Sequence, residues 1–192
     1  MTNGPTLKKV VSGGQTGADR AALDAAMSFG IEVGGWCPRG RRAIDGIIPA
    51  KYPLTETRGK SYQTRTKWNV RDSDASLIIC QDEPTGGTAL TIKYCEKLVK
   101  PYLVCKLMAG KVACLNCLED PYSVQYWLNT HHVKVLNVAG PREGKNCPIY
   151  DHAYSFLFDL FQLMQRPENE AGYVREPAAS YSFMPEEDLY LA

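Results

Sequence analysis

The chain has 192 residues, of which 44% are hydrophobic and 22% charged, with a net charge of +1; that is enough for one domain with a sizeable core and is ordinary for a soluble protein. No apolar run approaches the ~20 residues of a membrane span, and the polar residues 1–9 do not resemble a signal peptide, so a cytoplasmic protein without membrane contacts is expected. The charge is lopsided: residues 1–72 carry 12 Lys/Arg against 6 Asp/Glu and residues 165–192 carry 2 against 6, a modest basic excess that suits a small anionic ligand and, lacking an interleaved aromatic platform, does not suit nucleic acid.

In chain order, Val10 and Val11 begin a short apolar run that passes into Ser12-Gly13-Gly14-Gln15-Thr16-Gly17-Ala18-Asp19-Arg20, which reads as strand, tight loop and helix. Three glycines within five positions leave backbone N–H groups aimed, with the helix dipole, at whatever lies beyond the strand, and an anion suits such a loop. The pattern is neither a Walker loop nor the dinucleotide Gly-x-Gly-x-x-Gly, and a plain strand-to-helix turn produces it equally well. Thr16 is the expected N-cap, with Asp19 adding charge to the first turn. Ala18, Ala21, Ala22, Ala25, Ala26 and Phe29 form the helix's small inner face, and Gly30 ends it.

Ile31–Val33 is the next strand. Residues 34–46 then hold four glycines, three arginines (Arg39, Arg41, Arg42) and Trp36, more than a connector needs, which makes this a ligand loop or a solvated basic one. Residues 62–71 read as a helix with Tyr62, Arg65 and Asn69 in line on one face, either a pocket wall or a solvated face. Ala75–Cys80 is an unbroken apolar run suited to a parallel, doubly covered strand. After Gln81-Asp82-Glu83-Pro84 comes Thr85-Gly86-Gly87-Thr88, which repeats the opening design and leads into a helix with Leu90, Tyr94 and Leu98 inward.

The remaining elements are a strand at 101–105, an aperiodic excursion at 106–120, and a helix at 122–130 with His131 and His132 at its dipole-favoured end. A strand at 133–138 follows, with its loop at 139–144, and then a helix at 149–164 with a continuous apolar stripe. Seven cysteines scattered through apolar segments imply reduced thiols, with Cys80, Cys95 and Cys105 as buried fillers. Cys114-x-x-Cys117 lacks a second ligand pair, so no metal is expected there. Residues 1–164 are read as a single Rossmann-like ligand-binding domain and 165–192 as an acidic C-terminal extension.

Alternating strands and helices predict an α/β protein: a Rossmann-like open, mainly parallel sheet with helices on both faces. In such sheets ligands bind beyond the strands' carboxyl ends at a topological switch point. The glycine-rich and arginine-bearing loops fall at those ends, so the expected site comprises Ser12, Gly13, Gly14, Gln15, Thr16, Gly17, Asp19, Arg20, Trp36, Arg39, Arg41, Arg42, Thr85, Gly86, Gly87, Thr88 and Arg142. Within it, Gly14→Val and Arg39→Ala are expected to weaken ligand binding while leaving the fold intact.

The run Ser-Gly-Gly-Gln-Thr-Gly-Ala-Asp-Arg-Ala-Ala-Leu-Asp (12–24) and the run Gly-Gly-Trp-Cys-Pro-Arg-Gly-Arg-Arg-Ala (34–43) resemble the molybdenum carrier family, the molybdenum-cofactor carrier proteins. So do Asn-Val-x-Asp-Ser-Asp-Ala (69–75), Thr-Gly-Gly-Thr-Ala-Leu-Thr (85–91) and Leu-Asn-Val-Ala-Gly-Pro-Arg-Glu (136–143). The resemblance spans residues 8–164 and implies kinship to the phosphoribohydrolases once labelled lysine decarboxylases. It also implies a homo-oligomer that holds molybdenum cofactor (molybdopterin) without changing it and serves molybdenum-cofactor enzymes as recipients. Phosphate or another anion suits the same pocket, and Trp36 offers a flat wall for a ring system. Residues 111–120 and the acidic tail are not parts of that pattern.

Two other functions remain open, a nucleotide-derivative N-glycosidase and a sensor of a nucleotide signal. The related hydrolases carry Pro-Gly-Gly-x-Gly-Thr followed closely by a glutamate, whereas Thr88 here is followed by Ala89, Leu90 and Thr91. Asp19, Asp82 and Glu83 are the remaining acid–base candidates.

Overall fold

The computed structural model describes residues 7–107, 120–144 and 148–166. The longest strand among the described residues is Ala75–Cys80, in which all six residues are buried; a strand with no wet face has to be covered on both sides, and the rest of the fold supplies those covers. In chain order the elements are β1 (Lys9–Val11), α1 (Ala18–Ser28), β2 (Glu32–Gly34), β3 (Trp36–Cys37), β4 (Arg42–Ala43), β5 (Gly46–Ile47), β6 (Thr55–Glu56), α2 (Tyr62–Arg71), β7 (Ala75–Cys80), α3 (Gly86–Lys97), β8 (Tyr102–Lys106), α4 (Pro121–Thr130), β9 (Val135–Ala139) and α5 (Ile149–Gln165).

Five strands form one sheet in the order β2-β1-β9-β7-β8, all neighbours parallel. The helices fall into two packed groups, α1 with α5 and α4, and α2 with α3, which cover the two faces. The fold is the expected Rossmann-like α/β arrangement. The alanine face of α1 explains its place: Ala18, Ala21, Ala22, Ala25 and Ala26 are all buried, and side chains that small let the helix lie close to the sheet and to α5. Ile149, Ala153, Phe156, Leu157, Leu160 and Phe161 of α5 fill the same core.

Several local details differ from the sequence reading. Helix α1 is capped by Gly17 rather than Thr16, and the Thr16 hydroxyl is buried with no hydrogen-bond partner among the described residues. The buried face of α3 consists of Thr88, Thr91 and Cys95, one residue out of phase with the expected Leu90, Tyr94 and Leu98, which are half-buried. The long loop after β2 contains two small sheets, the parallel pair β3–β6 and the antiparallel hairpin β4–β5. Cys37, Cys80, Cys95 and Cys105 are buried. The Cys114/Cys117 pair and the acidic tail lie outside the described residues. No helix among the described residues is long and apolar enough to cross a membrane.

Candidate ligand-binding site

The chain leaves β1 for β2 on one side, then builds β7 and β8 on the other, and finally inserts β9 between β1 and β7. The loops after β1 and β7 therefore diverge, and the loop after β9 runs between them, which is the switch-point crevice where ligands of such sheets bind. A cavity of about 840 Å³ occupies that place. Gln15 and Asp19 line it from the β1 side, Arg42, Ala43 and Ile44 from the β4–β5 hairpin, and Tyr62, Arg65 and Thr66 from α2. Residues 81–83, 85–88, Leu90 and Thr91 of the β7 exit and α3 contribute, as does the β9 exit at 139–144.

The first glycine loop is built for packing. A Cβ at Gly17 would stand 2.5 Å from the Pro141 carbonyl oxygen, one at Gly14 would strike Leu54, and one at Gly13 would strike the Arg65 guanidinium. Four of its amides are committed: Ser12 N–H donates to the Gly34 carbonyl and Ala18 N–H to that of Pro141. Gln15 N–H donates to Asp19 and Thr16 N–H to the Gln15 side chain. Ser12 Oγ donates to the Val138 carbonyl at 2.8 Å. This loop locks β1, β2 and β9 together at their ends.

Beneath it Asp19, 3% exposed, accepts from Arg65 Nη1 at 3.1 Å. Burial pushes its carboxyl above the ordinary carboxylate range, opposed by the Arg65 guanidinium and the Gln15 N–H. Arg65 Nε is buried and has no hydrogen-bond partner among the described residues.

The second glycine loop has the opposite character. At Gly86 and Gly87 a Cβ would meet nothing within 4 Å, and both line the cavity. Thr85, the N-cap of α3, makes no side-chain cap hydrogen bond; Thr88 and Ala89 N–H turn back to the Thr85 carbonyl, which leaves the Gly86 and Gly87 amides without acceptors among the described residues. Thr88 is 5% exposed, and its hydroxyl has no partner among the described residues. The N-terminal end of α3 thus presents open donors and a positive dipole end to the cavity.

The arginines named from the sequence separate by use. Arg42 and Arg142 line the cavity and make no side-chain hydrogen bond among the described residues. Arg41 spends its guanidinium on the carbonyls of Ile48, Leu54, Pro49 and Tyr52. Arg20 forms a two-pronged pair with Asp45 at 2.5 and 2.8 Å and reaches the Gly14 carbonyl. Arg39 is exposed and outside the cavity lining. Trp36 is also outside it: its indole N–H donates to Asp72 at 2.7 Å and its ring meets Trp68 edge-on at 4.7 Å. Asn69 braces the same segment by hydrogen-bonding both the N–H and the carbonyl of Trp36.

Of the acidic residues on the wall, Glu83 pairs with Lys106 and Glu143 accepts the N–H of Tyr150 at the start of α5, whereas Asp82 has no partner among the described residues. No group of three or more His, Cys, Asp or Glu among the described residues is arranged to hold a metal ion. Tyr62, Arg65 and Gln81 line the cavity without having been counted in the expected site; the i, i+3 spacing of Tyr62 and Arg65 was the one sequence signal for the first two, and Gln81 was marked only by its place at a strand's end.

Residues 10–161 match the family model described as "cpYpsA: Circularly permutated YpsA SLOG family". No curated protein matches the chain. The crystal structure of a "Putative molybdenum carrier protein" from Syntrophus aciditrophicus is similar, with a TM-score of 0.70 and 40% sequence identity over 82% of this chain and 96% of that one.

Proposed function

The chain belongs to the circularly permutated YpsA SLOG family, and on that premise we propose that it binds and carries a small anionic ligand, molybdenum cofactor or a similar pterin- or nucleotide-type anion, without converting it. The observation that carries this reading is that two guanidinium groups without a partner among the described residues, Arg42 and Arg142, line a cavity into which α3 opens its uncapped N-terminus. An oxyanion there gains backbone donors at Gly86 and Gly87, the Thr88 hydroxyl and two forked cations. The name of the Syntrophus relative, a "Putative molybdenum carrier protein", supports the choice of cargo. In this reading Arg42, Thr85, Gly86, Gly87, Thr88 and Arg142 touch the ligand. Ser12 to Gly17, Asp19, Arg20 and Arg41 build the walls that hold them, and Trp36 and Arg39 lie at the periphery. The carrier works in the cytoplasm as a homo-oligomer and serves molybdenum-cofactor enzymes.

The test is purification from a cofactor-producing host, followed by oxidation to the fluorescent pterin and measurement of bound molybdenum. The expected result is both signals in the native chain and their loss in the Arg42→Ala/Arg142→Ala double variant. Absence of both from the native chain, together with failure to protect added cofactor from decay, overturns the proposal. The second reading, an N-glycosidase, rests on the unpaired Asp82 in the cavity wall. Against it, the position one turn into α3 is Thr91, whose hydroxyl bonds back to the Gly87 carbonyl at 3.1 Å. Release of free base from nucleoside monophosphates, lost in Asp82→Asn, would establish that activity instead.

A further inference from the structure

A bare oxyanion needs donors and water, and it gains nothing from apolar surface. The cavity is nevertheless lined by two large apolar side chains that stand exposed, Ile44 at 61% and Tyr62 at 41%, and the half-buried Leu90 lines it as well. Leaving such groups in water is unfavourable unless something covers them. Their placement is rigid. Ile44 N–H donates to Gln15 Oε1 at 2.8 Å, and Asp45 beside it is clamped by Arg20. Tyr62 is the first residue of α2, where its carbonyl accepts from Thr66 Oγ1 while its phenol makes no hydrogen bond among the described residues. Arg42 lies on β4 and Ile44 in the turn that follows it, so a cation and an apolar contact reach the cavity from the same hairpin.

We propose that Tyr62, with Ile44 and Leu90, forms a slot for a planar heterocycle, and that the ring system it takes is joined to the anionic group seated at the start of α3. The ligand class is therefore a phosphorylated planar ring, pterin or purine, and Tyr62, not Trp36, is the aromatic residue that selects it. This assignment rests on the anion site proposed above.

The test compares calorimetric affinities of the full-length chain for ribose 5-phosphate, which has no ring system, with those for GMP and neopterin monophosphate. At least one ring-bearing monophosphate binds about tenfold or more tighter than ribose 5-phosphate, and the tighter of the two identifies the ring. Tyr62→Ala removes that gain and leaves ribose 5-phosphate unchanged, while Tyr62→Phe retains it. The slot is overturned, and the anion site left standing, if all three ligands bind the native chain equally. It is likewise overturned if Tyr62→Ala leaves the ring gain intact or weakens every ligand alike. If the native chain binds none of them, the slot and the anion site fall together.

Discussion

The guanidinium of Arg41 donates to four carbonyl oxygens between Ile48 and Leu54 at 2.8 to 3.1 Å, and its backbone sits at a φ of 49°, a conformation a non-glycine residue holds only when its surroundings insist. Arg42, the next residue, is exposed and its side chain makes no hydrogen bond among the described residues. One arginine is a structural clamp for segment 48–54 and the other is left for a ligand. Arg41→Ala strips a charged donor from four carbonyls, so it is expected to cost about 2–4 kcal/mol, and Arg41→Lys recovers little of that because an ammonium cannot span the four oxygens. Arg42→Ala should change stability by no more than about 0.5 kcal/mol while weakening anion binding. Urea unfolding of the three variants checks this; equal stability of the Arg41 and Arg42 variants would refute the division of labour. Nothing in the sequence distinguishes these two arginines. Their roles depend on where Ile48 to Leu54 places its carbonyls, which is a matter of tertiary position.

Helix α1 is joined to its neighbours through Asp24, which accepts from Lys51 Nζ at 2.8 Å, Tyr52 Oη at 2.8 Å and Tyr150 Oη at 2.9 Å. One carboxylate thus connects α1, the segment after the hairpin, and α5. Burial alone would raise its pKa, but the hydrogen bonds from Lys51, Tyr150 and Tyr52 outweigh burial and hold it below its ordinary value of 3.8. A carboxyl with a depressed folded-state pKa takes up its proton first in the unfolded chain, so its stabilisation is present in full above the unfolded value and is lost as pH falls through the folded one. Asp24→Asn should therefore be less stable than the native chain at pH 7, and the gap should close as pH drops below about 4. A gap that stays constant down to pH 3 would show that the carboxylate charge is irrelevant. At this scale much of the fold is legible in the sequence. The periodicity of α1 and α5 and the apolar run of β7 each state one element's own burial pattern, and these elements, like α2, lie within a residue or two of their reading. The exceptions were set by partners distant in sequence. β3 and β6 are two residues each and exist only because Trp36–Cys37 lies beside Thr55–Glu56. Thr16 does not cap α1 because the turn at Gly17 is shaped by contact with Pro141.

For the whole molecule the decisive event is the late insertion of β9 into the middle of the sheet, since it joins β1–β2 to β7–β8 and lays the 139–144 loop across the switch point. The place of the cavity at the strand ends was legible from that logic, because the glycine- and arginine-rich loops lie there; the distinction between its two glycine loops was not, because identical residues serve to admit a neighbouring backbone in one and to leave space in the other. Gly14→Val, expected from sequence to spare the fold, would drive a branched side chain at a φ of 70° into Leu54 and Ile48, so its main effect is on stability. The sharpest contrast is between Gly140 and Gly87. A Cβ at Gly140 would collide with the Ile79 carbonyl and stand 2.6 Å from the Ala18 Cβ, where β9 leaves the sheet between the end of β7 and the start of α1; these are backbone and helix-core contacts that cannot yield cheaply. Gly140→Ala is expected to destabilise the chain by about 3 kcal/mol or more, in the range of severe overpacking. Gly87 lies in the first turn of α3 with open space beside it, so Gly87→Ala gains helix propensity and leaves stability level or higher by up to about 1 kcal/mol. Its new methyl enters the cavity beside the free amides and should weaken phosphate or GMP binding severalfold. Thermal unfolding and calorimetry on the two variants read both effects. If Gly87→Ala binds as the native chain does, the N-terminus of α3 is not where the anion sits.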